Sequence, residues 1–284
     1  MDGQGRNGNQ TEAERKRDER IREIESLITY EGKDKVIPWK EYLAQKEASK
    51  SSQRTIMSGM DELDDALGGF QTGELVVISG VTGNGKTLFA KTLVRNLSLL
   101  SAPCACFSYE VSTEEFLKYF KSSRYDDAKM FVTQEMKVGM MKWIYDRVHE
   151  SKLKYGTNVV LIDHLHYIVD MDTDKMTINV GACMRRLKQL AVELNQVVII
   201  VAHQEKLKDD KEPGIETLRD SSFVGQEADD VIIVHRVPDD PSQKGNNRTY
   251  EDGFAVVKID KARRKGTYKR RLTFQKKGDW LEPV

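Results

Sequence analysis

The sequence predicts an α/β fold: a mostly parallel, twisted sheet with helices on both faces and an antiparallel C-terminal edge. Three observations carry that expectation. Short unbroken apolar runs alternate with helix-length segments between residues 74 and 202. A Gly-rich turn over 80–85 joins the first of those runs to the first helix of the series. The last strand-like runs, near 230–236, 254–260 and 269–275, are separated by turns and not by helices. Unbroken apolar strands are buried on both faces and need helices above and below. Strands joined by short turns pair antiparallel.

In chain order, residues 1–10 are small and polar, a composition that predicts disorder. From Thr11 to about Tyr30, Glu, Arg and Lys dominate, with Ile21, Ile24, Leu27 and Ile28 at helical spacing. This predicts a short amphipathic helix. Two readings stay open for it: a solvated helix packed on its own domain, or an arm that docks on an adjacent subunit. Residues 44–54 read as a polar linker, so 1–54 form an N-terminal arm and the main domain covers 55–284. Within that domain, strands are expected over 74–79, 102–108, 158–163 and 196–202. Helices are expected from about Lys86, after Ser112, over 135–152 and over 178–194. Ser112 followed three residues later by Glu115 is a capping-box pattern.

Composition sets limits. The 284 residues suffice for one large α/β domain plus a tail. Lys+Arg and Asp+Glu are equal at 45 each, so overall charge makes no case for nucleic acid, and only local clusters could. Cys104, Cys106 and Cys183 are odd in number and unpaired in spacing. That argues against a disulfide framework and fits a reducing compartment. Cys104 and Cys106 alternate within an apolar run and read as buried strand residues, since no second cysteine pair would complete a metal site. No apolar run approaches the ~18 residues of a membrane span, and the N-terminus lacks an apolar signal core. A soluble cytoplasmic protein without a membrane partner is expected.

Gly80-Val81-Thr82-Gly83-Asn84-Gly85-Lys86-Thr87 fits the phosphate-loop pattern G-x-x-x-x-G-K-[ST] in full, between a strand and a helix. The glycines let the backbone wrap so that N–H groups face phosphate, and the helix N-terminus adds a favourable dipole. All eight residues are candidate contacts to ATP. Lys86 is expected to reach the β- and γ-phosphates, and Thr87 to hold Mg²⁺ through its hydroxyl. Asp163 ends the apolar run 159–163, where a carboxylate can bind the magnesium shell. Glu110 follows the next strand after the phosphate loop, which is expected to lie close to the first and open onto the same crevice. There a carboxylate can accept a proton from attacking water, although position alone fits a surface Glu equally.

Further segments add a family resemblance over roughly residues 55–284. Ser58-Gly-Met-Asp-Glu-Leu-Asp-Asp-Ala-Leu-Gly-Gly, Phe107-Ser-Tyr-Glu110, Ile162-Asp163-His-Leu-His166, Val201-Ala-His203-Gln204, the stretch from Leu218-Arg219-Asp220 to Gln226-Glu-Ala-Asp229, and Lys261-Ala-Arg263 follow one another in order. In these segments the chain resembles the motor domains of DnaB-type replicative helicases, which are hexameric RecA-like ATPases. The resemblance implies that Glu110 is the catalytic base and Asp163 the magnesium-binding acid. It makes His203 a γ-phosphate sensor, Arg263 an arginine finger inserted into the next subunit's site, and Lys261 its assistant. It also implies a homo-oligomeric ring with single-stranded DNA in its central channel, and other replication or loading proteins as partners. The segments matching the DNA-holding loops are 170–178 and 205–217, so Lys175, Lys206, Lys208 and Lys211 are candidate phosphate contacts. The acids interleaved there, and the lack of an aromatic ladder, fit a plain polar loop equally. Only about 55 residues precede the motor domain, too few for the helical N-terminal domain of bacterial members or the primase half of phage members. The 11–30 helix could then be a reduced arm clipping adjacent subunits together.

Two functions are therefore expected to compete. One is an ATP-dependent DNA helicase or single-stranded DNA translocase. The alternative is a RecA-fold regulatory or recombination-mediator ATPase that remodels or scaffolds partner proteins.

Overall fold

The computed structural model describes residues 11–32, 34–48, 53–100, 102–169, 176–204, 213–218, 221–238, 250–266 and 269–284. The expectations for residues 1–10 and for Lys175, Lys206, Lys208, Lys211, Arg219 and Asp220 lie outside the described residues. The chain forms two compact units, Met1–Ser52 and Gln53–Val284.

The first unit holds helices α1 (Glu12–Ile28) and α2 (Trp39–Ala48). Thr11 caps α1 in a reciprocal box: its hydroxyl accepts from Glu14 N at 3.3 Å, and Glu14 Oε2 accepts from Thr11 N at 2.7 Å. Ile21, Ile24, Leu27 and Ile28 of α1 are all exposed. Helix α2 corrects the reading of 44–54 as linker: good helix formers run on to Ala48 from a start at Pro38, whose carbonyl accepts from Tyr42 N at 3.0 Å.

The second unit opens with strand β1 (Thr55–Ile56), helix α3 (Asp61–Leu67) and strand β2 (Phe70–Gln71). There follow β3 (Leu75–Gly80), α4 (Lys86–Leu99), β4 (Cys104–Ser108), α5 (Thr113–Leu117), β5 (Met130–Val132) and α6 (Met141–Tyr155). Next come β6 (Val159–Asp163), α7 (Met176–Glu193), β7 (Val197–His203), α8 (Ser221–Glu227) and β8 (Asp230–Pro238). The strands β9 (Tyr250–Ala262), β10 (Arg270–Lys277) and β11 (Trp280–Pro283) close the chain. Among the described residues the large sheet has the order β11-β10-β9-β8-β3-β7-β6-β4-β5. It is parallel from β8 to β5 and antiparallel from β8 to β11, the predicted edge.

The unbroken apolar strands are unbroken because both faces are covered. Along β3 the side chains alternate: Val76 and Ile78 pack with Phe89, Leu93 and Leu97 of α4, while Leu75 and Val77 pack with the cluster that holds Ile144 of α6 and Leu187 of α7. All are essentially inaccessible, and each such side chain stabilises the fold by roughly 1.5–3 kcal/mol. Cys104 and Cys106 are buried free thiols on β4, as expected.

Three local differences have physical reasons. The helix expected over 135–152 is α6, which starts at Met141 because Gly139 sits at φ +69°, a left-handed conformation that ends any helix before it. Helix α3 lies in an acid-rich run where the sequence showed no helix. It is set by Asp64, whose buried carboxylate accepts from Ser58 N at 2.7 Å and Gly59 N at 3.2 Å. The strand β4 does not lie close to β3, since β7 and β6 stand between them.

Asp230 opens β8 with its carboxyl buried. Burial, and then the charge of Glu74, push it up to about 7, with Arg264 pulling the other way. An acid raised in the fold is neutral there while the unfolded chain ionises it, so stability is lost as pH rises from its ordinary 3.8 to about 7. Asp230→Asn is therefore expected to raise the melting temperature at pH 8, by on the order of 2–4 kcal/mol of stability, and to change little at pH 4. Thermal melts at the two pH values check this, and an equal effect at both would contradict it.

Candidate functional site

The middle of the sheet positions the site. β3 lies between β8 and β7, with its C-terminal end at Gly80 paired in register with His203, the last residue of β7. The loop 80–87 rises from that end. Gly80 is required by close approach, because a Cβ there would stand 2.1 Å from the Val234 carbonyl oxygen. Gly85 caps α4, so the helix N-terminus points into the loop at Lys86. Lys86 is buried, and its Nζ donates to the Val81 carbonyl at 3.2 Å. Burial lowers its pKa, while the nearby charges of Glu110 and Asp163 raise it.

Asp163 ends β6 and is fully inaccessible. Neither of its carboxylate oxygens has a hydrogen bond, and the nearby Thr87 hydroxyl donates instead to Glu110 Oε2 at 3.3 Å. Burial first, and then the Glu110 charge, push Asp163 up to about 6; Thr87, Lys91 and Lys86 act in the opposite direction. An orphaned buried carboxylate beside a hydroxyl and a second carboxylate fits a hard divalent cation, whose oxygen ligands these are. Mg²⁺ would be held by Thr87 and Asp163. Ionised Asp163 is the form that binds it, so Mg²⁺-dependent nucleotide affinity is expected to fall below about pH 6, by up to about tenfold per pH unit. Nucleotide titrations with and without Mg²⁺ at pH 5 and 7.5 check this, and a pH-independent Mg²⁺ effect would contradict it.

Glu110 reaches the site by a route the sequence did not indicate. β4 pairs with β6, and the Asp163 carbonyl accepts from Tyr109 N at 2.6 Å and Glu110 N at 3.2 Å. The chain after β4 is thus hung from the end of β6, and this sets the Glu110 carboxylate against Thr87. His203 completes the crevice wall. Its ring lies 4.1 Å from that of His164, near perpendicular at 75°. Burial lowers the pKa of both imidazoles, that of His164 to about 3.

Lys261 and Arg263 are not brought to this crevice. Lys261 Nζ donates to the carbonyls of Ala228 at 2.6 Å and Gly225 at 2.8 Å. Arg263 donates to Asp229 Oδ1 at 2.8 Å and to the Gln226 carbonyl at 3.0 Å. Asp229 also accepts from Leu75 N at 2.8 Å and Lys188 Nζ at 2.6 Å, so it marks the N-terminal end of β3. The two cations therefore sit at the opposite end of β3 from Gly80, roughly 16 Å away at strand rise.

Sequence reading missed three residues here. Asp229 stands in the quoted Gln226-Glu-Ala-Asp229 stretch but was given no anchoring role. Gln204, next to His203, donates to the Gly214 carbonyl at 3.1 Å. Lys91 is buried on α4 over the rings of Phe116 and Tyr119, and carries a second positive charge toward Asp163. Nothing in the local sequence separates Lys91 from a surface lysine. Beside the loop, a cavity of about 290 Å³ is lined by Gly83, Asn84, Leu88, Arg236, Phe254 and Lys276, among others.

A phosphate-loop pattern on the middle strand of this sheet order is that of a RecA-like P-loop domain. The chain belongs to the DnaB-like helicase C terminal domain family, whose model matches residues 55–124 and 117–281. It is similar to the replicative DNA helicase DnaB of Haemophilus influenzae, 25% identical over 255 residues, covering 77% of this chain and 53% of the relative. The DnaB of Pasteurella multocida is 24% identical over 254 residues, covering 78% and 53%. The chain thus spans about half the length of these relatives. Among solved structures, an isolated ATPase domain matches its fold with a TM-score of 0.69 at 21% identity, covering 86% of this chain and 96% of that one. A DnaB-like replicative helicase, described with its interactions with primase, matches with a TM-score of 0.68 at 21% identity, covering 94% and 71%. Among the described residues no helix is long and apolar enough to cross a membrane.

Proposed function

We propose that the chain is an ATP-hydrolysing motor domain that acts on single-stranded DNA as one subunit of a homo-oligomeric ring, as in DnaB helicases. The observation that carries this is the separation of the machinery into two ends. Lys86, Thr87, Glu110, Asp163 and His203 border one crevice at the C-terminal end of β3 and β7, whereas Lys261 and Arg263 sit at the far end of β3. A transferring phosphate needs a cation to offset its developing charge. The chain's own Arg263 cannot reach its own loop, and in this reading it adds its charge to the site of the next subunit.

In this reading residues 80–87 cradle the triphosphate, and the nucleoside turns into the cavity bordered by Arg236 and Phe254. Mg²⁺, held by Thr87 and Asp163, would supply charge neutralisation to the transferring phosphate. Glu110 accepts the proton of the attacking water, and His203 senses the γ-phosphate. The exposed Ile24, Leu27 and Ile28 of α1 give an arm that covers its apolar side on an adjacent subunit. Lys175, Lys206, Lys208 and Lys211 contact DNA phosphate, and loading or other replication proteins are further partners.

The test is the ATPase rate with and without single-stranded DNA, together with the assembly mass in a non-hydrolysable nucleotide. A ring whose turnover rises with DNA is expected. A DNA-indifferent rate that responds instead to a protein would favour a scaffolding ATPase.

A further inference from the structure

The chain has five histidines, and three of them, His164, His166 and His203, lie together at the C-terminal edge of β6 and β7. Two of these and a carboxylate form a tighter group. Glu110, His164 and His203 each offer one donor atom, and the three atoms all lie within 4.8 Å of one another. Their settings differ in a way that suits a site open on one side: His164 is buried, His203 half-buried and Glu110 exposed. His203 Nδ1 is buried without a hydrogen-bond partner, an orphaned acceptor or donor of the kind that calls for a missing group. The backbone fixes all three residues. His203 is locked by the β3–β7 register, and the chain at Glu110 hangs from the Asp163 carbonyl. His164 follows Asp163 directly and accepts a 3.3 Å bond from the His166 amide at Nδ1. A metal would take that long, weak bond's place or leave it intact by using the other nitrogen.

We propose that Glu110, His164 and His203 form a transition-metal site, distinct in chemistry from the magnesium seat at Thr87 and Asp163, that holds the motor off when occupied. Two imidazoles and one carboxylate select Zn²⁺ or Co²⁺ over Mg²⁺, which prefers oxygen ligands and keeps its water. Three protein ligands leave an open coordination position facing the crevice. The regulatory consequence rests on the roles given above to Glu110 and His203, whereas metal binding does not. A carboxylate that ligates a metal cannot accept the proton of an attacking water, and a ligated His203 cannot answer to phosphate. Occupancy therefore stops turnover while leaving the loop 80–87 free for nucleotide.

Co²⁺ titration of the full, chelator-treated chain tests the site, read by its visible absorption and by Zn²⁺ displacement. One saturable equivalent is expected. His164→Ala and His203→Asn should each weaken binding by more than the roughly 10–100-fold that loss of a merely supporting partner costs. His149→Ala, on the exposed face of α6, should not change it. Glu110→Gln gives the same test at an exposed position where folding is not at stake. No saturable binding by the native chain, or binding unmoved by His164→Ala and Glu110→Gln, would overturn the site. In a second arm, Zn²⁺ should suppress native ATP turnover, a chelator should restore it, and His164→Ala should keep its own rate in Zn²⁺. Co²⁺ binding without suppression would overturn the regulatory consequence, and with it the roles of Glu110 and His203, while the site itself stands.

Discussion

Arg263→Ala is expected to lower ATP turnover by about 10³–10⁵-fold, the range an arginine finger supplies to phosphoryl transfer, with nucleotide affinity unchanged. The affinity holds because Arg263 is at the far end of β3 from the loop that grips the triphosphate. The loss follows from the proposed role of its half-exposed guanidinium, held by Asp229 and the Gln226 carbonyl at that far end, as the cation supplied to a neighbouring subunit's site. Arg263→Lys should recover little, since an ammonium cannot reproduce the planar fork that meets two phosphate oxygens. Steady-state turnover beside equilibrium binding of a fluorescent nucleotide reads both quantities. Turnover within tenfold of native for Arg263→Ala would remove the finger.

Glu110→Gln should cost about 10²–10⁴-fold in turnover, the contribution of a positioned general base. The amide keeps the size of the side chain and can still accept from the Thr87 hydroxyl, so nucleotide binding should persist. The variant should therefore load nucleotide and stall. A rate near native would mean that Glu110 is the surface carboxylate that its sequence position alone allowed.

The sequence made the phosphate loop legible because its requirements are local: a strand end, glycines at fixed offsets, a lysine and a hydroxyl at the start of a helix. The parallel-to-antiparallel division of the sheet was legible for a similar reason, since helical segments separate the earlier strands and turn-like segments the last ones. What needed the structure was non-local. The position of Glu110 after β4 predicts a strand close to β3, but β7 and β6 intervene and the Asp163 carbonyl holds the chain at Glu110 instead. The short strand β5 and the edge strand β11, which carries a proline, have too few residues to show a period. The start of α6 turned on a single left-handed glycine within an apolar stretch. Lys91 and Asp229 owe their importance to partners 72 and 154 positions away, Asp163 and Leu75, and no pattern within one element reports those.

A composite site, loop from one subunit and cation from the next, is tested most directly by mixing two inactive variants. Lys86→Ala abolishes the loop's grip and Arg263→Ala the finger, so each alone should be inactive. In mixed assemblies some interfaces pair the intact loop of an Arg263→Ala subunit with the intact Arg263 of a Lys86→Ala neighbour. Turnover should reappear on mixing and peak near equal amounts. A mixture as silent as its components, in assemblies shown to contain both subunits, would contradict a site shared between neighbours.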